Sequence, residues 1–213
     1  EEIPFVKDPT YKATRYQIVD PSGSKPWFML WAAVDPLSIW IYREWPDLGY
    51  GDWAEAGEGP EGKAGPGQNP LSWGIRDYVD MMAAAETGEN IFERIIDPRL
   101  GAAQVQGKEG ATSIISELED MGLVMVPSPG LQIDHGLMLI NSALKYDQSQ
   151  PISTTNFPKL RISDRCQNTI FALKNFTNLG GKDEATKDPI DCLRYLLMTG
   201  ADYVDQQEAR KAR

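Results

Sequence analysis

The first strongly patterned stretch of the chain reads as strands. Thr14–Asp20 (TRYQIVD) is a short β-rich run, and Pro21-Ser22-Gly23-Ser24 supplies a turn. The following residues, 26–34 (PWFMLWAAV), are almost continuously apolar, as a strand covered on both faces requires. Asp35-Pro36 marks a second turn, after which 38–45 (SIWIYREW) alternates apolar with mixed residues. Strands joined by turns this short run antiparallel. Residues 47–74 then carry eight glycines and three prolines in a polar setting, longer than an ordinary connection, which predicts a flexible loop or a functional flap.

Beyond that loop the period lengthens. Trp73, Ile75, Tyr78, Val79, Met82 and Ala83 recur at helical spacing within 71–87, with Gly88 as a stop. Residues 91–97 (IFERIID) read as a fourth strand ended by Pro98, and a glycine-rich connection occupies 101–110. A helix at 112–121 ended by Gly122, a short strand at 123–126 and a helix at 133–146 come next. An edge strand at 160–162 and helices at 166–176 and 188–201 complete the pattern, and the polar tail from 202 to 213 is expected to fray. No internal repeat is present. Three antiparallel strands leading into alternating helices and strands predict an α/β fold: a ribonuclease-H-like mixed β-sheet, antiparallel then parallel, with helices on both faces. A single domain over 1–213, with its core in about 14–198, is expected for 213 residues of which 41% are apolar.

Composition narrows the chemistry. No run of 18 apolar residues exists, so no membrane span or membrane partner is expected, and the first residues lack the order of a secretory signal. Cys166 and Cys192 cannot build a disulfide framework and fit a reducing compartment, where they read as buried thiols. With His135 the only histidine, metal sites rich in His are excluded, and any metal site is expected to use oxygen ligands. The formal charge of −10 opposes phosphate binding, but it is unevenly spread: residues 159–213 hold 10 Lys+Arg against 8 Asp+Glu. Lys159, Arg161, Arg165, Lys174, Lys182 and Lys187 are therefore the candidate phosphate-contacting group, set against the plainer reading of a solvated surface. Six tryptophans offer a base-stacking platform or, as the strand pattern favours, core. The run Gly57-Glu58-Gly59-Pro60-Glu61-Gly62-Lys63 has P-loop spacing, but Ala64 follows where a hydroxyl is needed, with no flanking strand or helix.

Four carboxylates occupy distinctive places. Asp20 ends the first predicted strand, Asp97 ends the fourth, and Asp188 and Asp191 open the last predicted helix. Acids at neighbouring strand ends, with another at a helix start, are what a two-metal phosphodiesterase site needs, because hard divalent ions take oxygen ligands. Each also has a plainer reading. Asp-Pro is turn punctuation, and Asp188 before Pro189 makes an N-cap followed by an N1 proline, with Asp191 at the positive end of the helix dipole.

The succession IVDPSGSKPWFMLWAAVD, WIYREWP, RIIDPRLG, ISDRCQNTIFALKNFT and KDPIDCLRYLL resembles the nuclease domain of tailed-bacteriophage large terminase subunits, in order and across roughly 14–198. The resemblance implies a metal-dependent endonuclease that cuts double-stranded DNA concatemers during genome packaging. It implies that Asp20, Asp97 and Asp191 are catalytic and hold two Mg²⁺ or Mn²⁺ ions, with Asp188 either an alternative metal ligand or a residue standing behind the ligands. It further implies, as partners, double-stranded DNA, an ATPase domain of the same polypeptide, the small terminase subunit and the portal protein, in the cytoplasm of an infected bacterium. The 47–74 loop matches no element of that family. Two rivals are a ribonuclease-H-like junction resolvase or hybrid nuclease, and a non-catalytic module that docks on a portal.

Overall fold

The computed structural model describes residues 11–23, 25–47, 73–107, 110–129, 132–177 and 184–205. The expected loop centre (48–72), Lys182 and the tail from 206 onward lie outside the described residues. The strands are β1 (Thr14–Asp20), β2 (Phe28–Val34), β3 (Ile39–Trp45), β4 (Ile91–Ile96), β5 (Gln104–Gly107), β6 (Gly110–Ser113), β7 (Val126–Pro127) and β8 (Leu160–Ile162). The helices are α1 (Ile75–Ala85), α2 (Pro98–Gly101), α3 (Ile114–Asp120), α4 (Ile133–Leu144), α5 (Gln167–Asn175) and α6 (Glu184–Thr199).

Six strands form one mixed sheet in the order β7-β4-β1-β2-β3-β8, and β5 and β6 form a separate hairpin. β1, β2 and β3 make the expected antiparallel meander, while β4 lies parallel beside β1, β7 parallel beside β4, and β8 parallel beside β3. Period-2 alternation divides the strands between two cores. Tyr16, Ile18, Phe28, Leu30 and Ile95 face α4, α5 and α6, where Ile140, Ala172, Leu193 and Leu196 cover them. Val19, Met29, Trp31, Trp40 and Tyr42 face the other way, against Tyr78, Val79 and Met82 of α1 and Leu118 of α3. β2 is fully buried along its length because both faces are covered, which is why its sequence shows no alternation.

The tryptophans are mainly core. Trp27, Trp31, Trp40 and Trp45 are all buried, Trp73 stacks on Trp45 at 5.2 Å, and Trp53 lies outside the described residues. Buried polar groups on different elements pair with one another. Trp31 Nε1 donates to Glu86, which Arg94 holds with two nitrogens, and Arg94 also donates to Gln17. Glu44 on β3 accepts from the Asn168 and Thr169 amides and the Thr169 hydroxyl, capping α5 from a distant strand.

Four expectations are corrected. The glycine-rich connection contains the β5/β6 hairpin, and α3 starts at Ile114 because Ser113, still in β6, caps it by accepting from the Ser116 amide. The fifth sheet strand is two residues long, at Val126–Pro127; Gly122, at φ +87°, only begins the return toward the sheet. The last helix starts at Glu184, so Pro189 lies inside it and Asp188 is not its N-cap. An internal proline forfeits one helical bond, but Thr186, Ile190, Leu193 and Leu196 are buried on both sides of it, and that packing outweighs the local signal. Finally, residues 202–205 do not fray: Tyr16 Oη donates to the Asp202 carbonyl at 2.7 Å, and the Val204 amide donates to Thr14 Oγ1 at 2.7 Å.

Candidate active site

Asp20 is the last residue of β1, and the Asp97 amide, just past β4, donates to the Val19 carbonyl at 3.1 Å. The parallel pairing of β1 and β4 therefore sets the two acids side by side at the carboxyl ends of adjacent strands. α6 crosses the same end, with the Cys192 thiol donating to the carbonyl of Phe28, the residue paired with Asp20. Asp188 and Asp191, one turn apart on α6, share a helix face. All four carboxylates are buried, at 4, 3, 1 and 5% exposure for Asp20, Asp97, Asp188 and Asp191.

Burial first, then repulsion from Asp188, Asp191 and Asp97, drives the Asp20 carboxyl well above its ordinary range, and Lys187 offsets only part of this. The same surroundings push up the Cys192 thiol and the Tyr195 hydroxyl, again through burial before the neighbouring acids. Asp97 spends one oxygen on the fold: its Oδ1 accepts from the Arg99 amide at 2.7 Å and the Leu100 amide at 3.4 Å, with Pro98 at N1 of α2. The turn role foreseen for Asp97 is thus joined by a helix cap, and both coexist with its place in the cluster.

Cations answer the acids. Lys25 Nζ lies 2.5 Å from Asp188 Oδ2, and Lys187 Nζ lies 3.0 Å from Asp191 Oδ2 and 4.0 Å from Asp188 Oδ1. Arg194 Nη1 donates to Asp191 Oδ1, and Arg99 Nε approaches Asp97 Oδ1 at 3.9 Å. Burial works against the Lys187 charge, but Asp191, Asp188 and Asp20 together raise its pKa. Among the described residues no three Asp, Glu, His or Cys side chains are spaced to coordinate one ion as they stand. The donor set nonetheless fits a hard divalent cation by chemistry: oxygen donors only, an excess of mutual repulsion at Asp20, and ammonium groups where another cation would sit. Beside the acids lies a cavity of about 600 Å³ between the β1–β2 turn, α1 and α2–α3, lined by Pro21, Lys25, Trp27, Tyr78, Leu100 and Met121 among others.

The sequence-derived cationic group is mostly elsewhere. Arg161 pairs across β8 with Trp40 of β3, and Lys159 precedes it, whereas Asp20 stands at the other end of β1. Strand spacing and rise put Arg161 roughly 20 Å from Asp20. Its guanidinium instead stacks on Trp40 and Phe157, each at 4.8 Å. Arg165 follows the same edge strand, and Lys174 ends α5. Among the described members of that group, only Lys187 joins the acids. Lys25, which does join them, was missed; its signal was a lone cation five residues after Asp20 in a turn. His135 is exposed in the first turn of α4.

A six-stranded mixed sheet covered by helices on both faces, with acids at the carboxyl ends of β1 and β4, is a ribonuclease-H-like arrangement. No protein-family model and no curated protein matches the sequence. Among solved structures, the chain shares its fold with the large terminase of a thermophilic bacteriophage, at TM-score 0.60 and 13% identity, covering 93% of this chain and 42% of that one. The ADP complex of that terminase gives TM-score 0.60 at 12% identity, covering 91% and 41%, and its ATP-γ-S complex 0.58 at 12%, covering 89% and 40%. The chain thus spans about two-fifths of the length of that phage terminase.

Proposed function

We propose that the chain is the nuclease domain of a phage-type large terminase, a metal-dependent endonuclease that cuts double-stranded DNA concatemers during genome packaging. The observation that carries this reading is the convergence of four buried carboxylates on one end of the sheet, in a fold shared with a large terminase. In this reading Asp20, Asp97 and Asp191 hold two Mg²⁺ or Mn²⁺ ions, and Asp188 adds a further oxygen. Such ions, when bound, charge-stabilise the attacking water and the leaving 3′-oxygen.

The chain's own groups do the rest. Lys187, 44% exposed at its side chain, swings from Asp191 to the incoming phosphate, while Lys25 holds Asp188 in place. Arg99, exposed beside Asp97, meets the DNA backbone. Asp97 keeps its capping oxygen on α2 and turns the other toward the site. Basic surface for most of the duplex comes from partners, because the chain itself is net acidic. Those partners are the ATPase domain of the same polypeptide, the small terminase subunit and the portal protein, in the cytoplasm of an infected bacterium.

Supercoiled plasmid with millimolar Mn²⁺ tests the proposal. Wild type is expected to nick and linearise it, and Asp97→Ala to lose at least a hundredfold in rate. Intact plasmid across a range of salt, or equal cutting by the variant, would overturn the nuclease and leave the docking module.

A further inference from the structure

Arg194 is among the largest fully buried side chains of the protein, at 2% exposure, and its guanidinium is directed at Asp191, one turn earlier on α6. What closes behind it is backbone. Gly136 in the first turn of α4 lies against it so tightly that a Cβ there would stand 2.8 Å from both Cγ and Nε of Arg194 and 3.1 Å from its Cβ. Gly136 is within a regular helix and is not in the left-handed region, so its glycine is not demanded by the backbone. Glycine weakens a helix interior. Its presence is explained by the close approach: α4 can pack on α6 over Arg194 only where α4 has no side chain.

The two oxygens of Asp191 are therefore held unequally. Oδ1 belongs to a buried guanidinium against whose stem Gly136 packs closely, whereas Oδ2 belongs to Lys187, whose side chain is 44% exposed. The first partner is shut away from water and the second is open to it. We infer that Arg194, wedged by Gly136, is a positioning residue that fixes Asp191 as a one-oxygen ligand, presenting only Oδ2 to a divalent cation once Lys187 leaves. Outer partners of this kind commonly change metal affinity by about 10–100-fold when removed. The inference rests on the metal-binding part of the proposed function.

Mn²⁺ titration followed by the electron paramagnetic resonance of free Mn²⁺ tests it without reference to cutting. Gly136→Ala keeps every charge and displaces Arg194, and is expected to raise the half-saturating Mn²⁺ concentration about tenfold. Arg194→Ala should do the same, and Arg194→Lys should recover part of the loss. The double variant should be no worse than Arg194→Ala, and the melting-temperature cost of Gly136→Ala should vanish in it, because the side chain being struck is gone. A role in packing alone lowers the melting temperature but leaves Mn²⁺ affinity unchanged well below it, and that result overturns the inference. Should Arg194→Ala not fold, Gly136→Ala and Arg194→Lys decide the matter. Wild type that binds Mn²⁺ but leaves DNA intact refutes the nuclease and spares the positioning role. Wild type that binds no Mn²⁺ refutes both.

Discussion

At the scale of single residues, Asp20 is where the fold works against itself. Its carboxyl holds a proton to higher pH in the folded protein than in the unfolded chain, through burial and the nearby acids. As pH rises above the ordinary carboxylate range toward the raised value, the folded state binds more protons than the unfolded one, so stability falls across that interval. In EDTA the melting temperature of wild type is expected to drop as pH climbs above the ordinary carboxylate range. Asp20→Asn should flatten this dependence and melt higher than wild type at neutral pH, because the neutral amide feels neither penalty. The same variant should lose the stabilisation that Mn²⁺ gives wild type. Differential scanning calorimetry at several pH values checks both; an unchanged pH slope would show that Asp20 is not repelled. Asp20 and Asp97 stand out in the sequence by their positions at strand ends, but the charge environment that distinguishes them from Asp35, equally an Asp-Pro, arises only on folding. Asp35 binds its own turn, accepting from the Leu37 and Ser38 amides, and its pKa is lowered by Tyr11 and those amides despite the opposing effect of burial.

At the scale of elements, α5 shows how a remote side chain completes a helix. Its N-cap, Cys166, makes no side-chain cap bond, and Glu44 from β3 fills the place by taking three donors. Glu44→Ala strands those donors in a buried setting and is expected to lower unfolding free energy by about 3 kcal/mol, at the upper end for lost buried partners. Urea unfolding monitored by tryptophan fluorescence measures it, and a loss below about 0.5 kcal/mol would mean that water replaces the carboxylate. No local rule would have found this cap, since its two halves are more than 120 residues apart. The start of α6 failed for a related reason. Asp188-Pro189 carries a strong local start signal, yet burial of Thr186 before it and Ile190 after it extends the helix through the proline. Instead of capping a helix, Asp188 stands on its side with its carboxylate against Lys25.

At the scale of the whole molecule, the sheet, α6 and α4 meet at the acids, so a cation bound there ties together β1, β4 and α6. Binding to the folded state alone stabilises by mass action, about 2.7 kcal/mol at a hundred times the dissociation constant. For a chain of this size that corresponds to a rise of about 5–10 °C in melting temperature. Mn²⁺ added to metal-free wild type should give this rise, and Na⁺ at matched ionic strength should not. A melting temperature indifferent to Mn²⁺ would count against a metal site at these acids. Among the described residues no helix is long and apolar enough to cross a membrane.

The succession of sheet strands and longer helices, the antiparallel meander and the two-sided burial of β2 were written in the chain, because they follow from periods of two and 3.6 residues and from turn chemistry between neighbours. The four acids that cluster were also visible, two as carboxylates where strands end and two in the last predicted helix. Only tertiary structure brought β4 beside β1, laid α6 across their ends, delivered Lys25 and the Gly136–Arg194 wedge, and carried Lys159 and Arg161 to the far edge of the sheet. The reason is physical: charge proximity and close backbone approach depend on which surfaces pack together, and packing is chosen by the whole buried area, not by any local stretch of sequence.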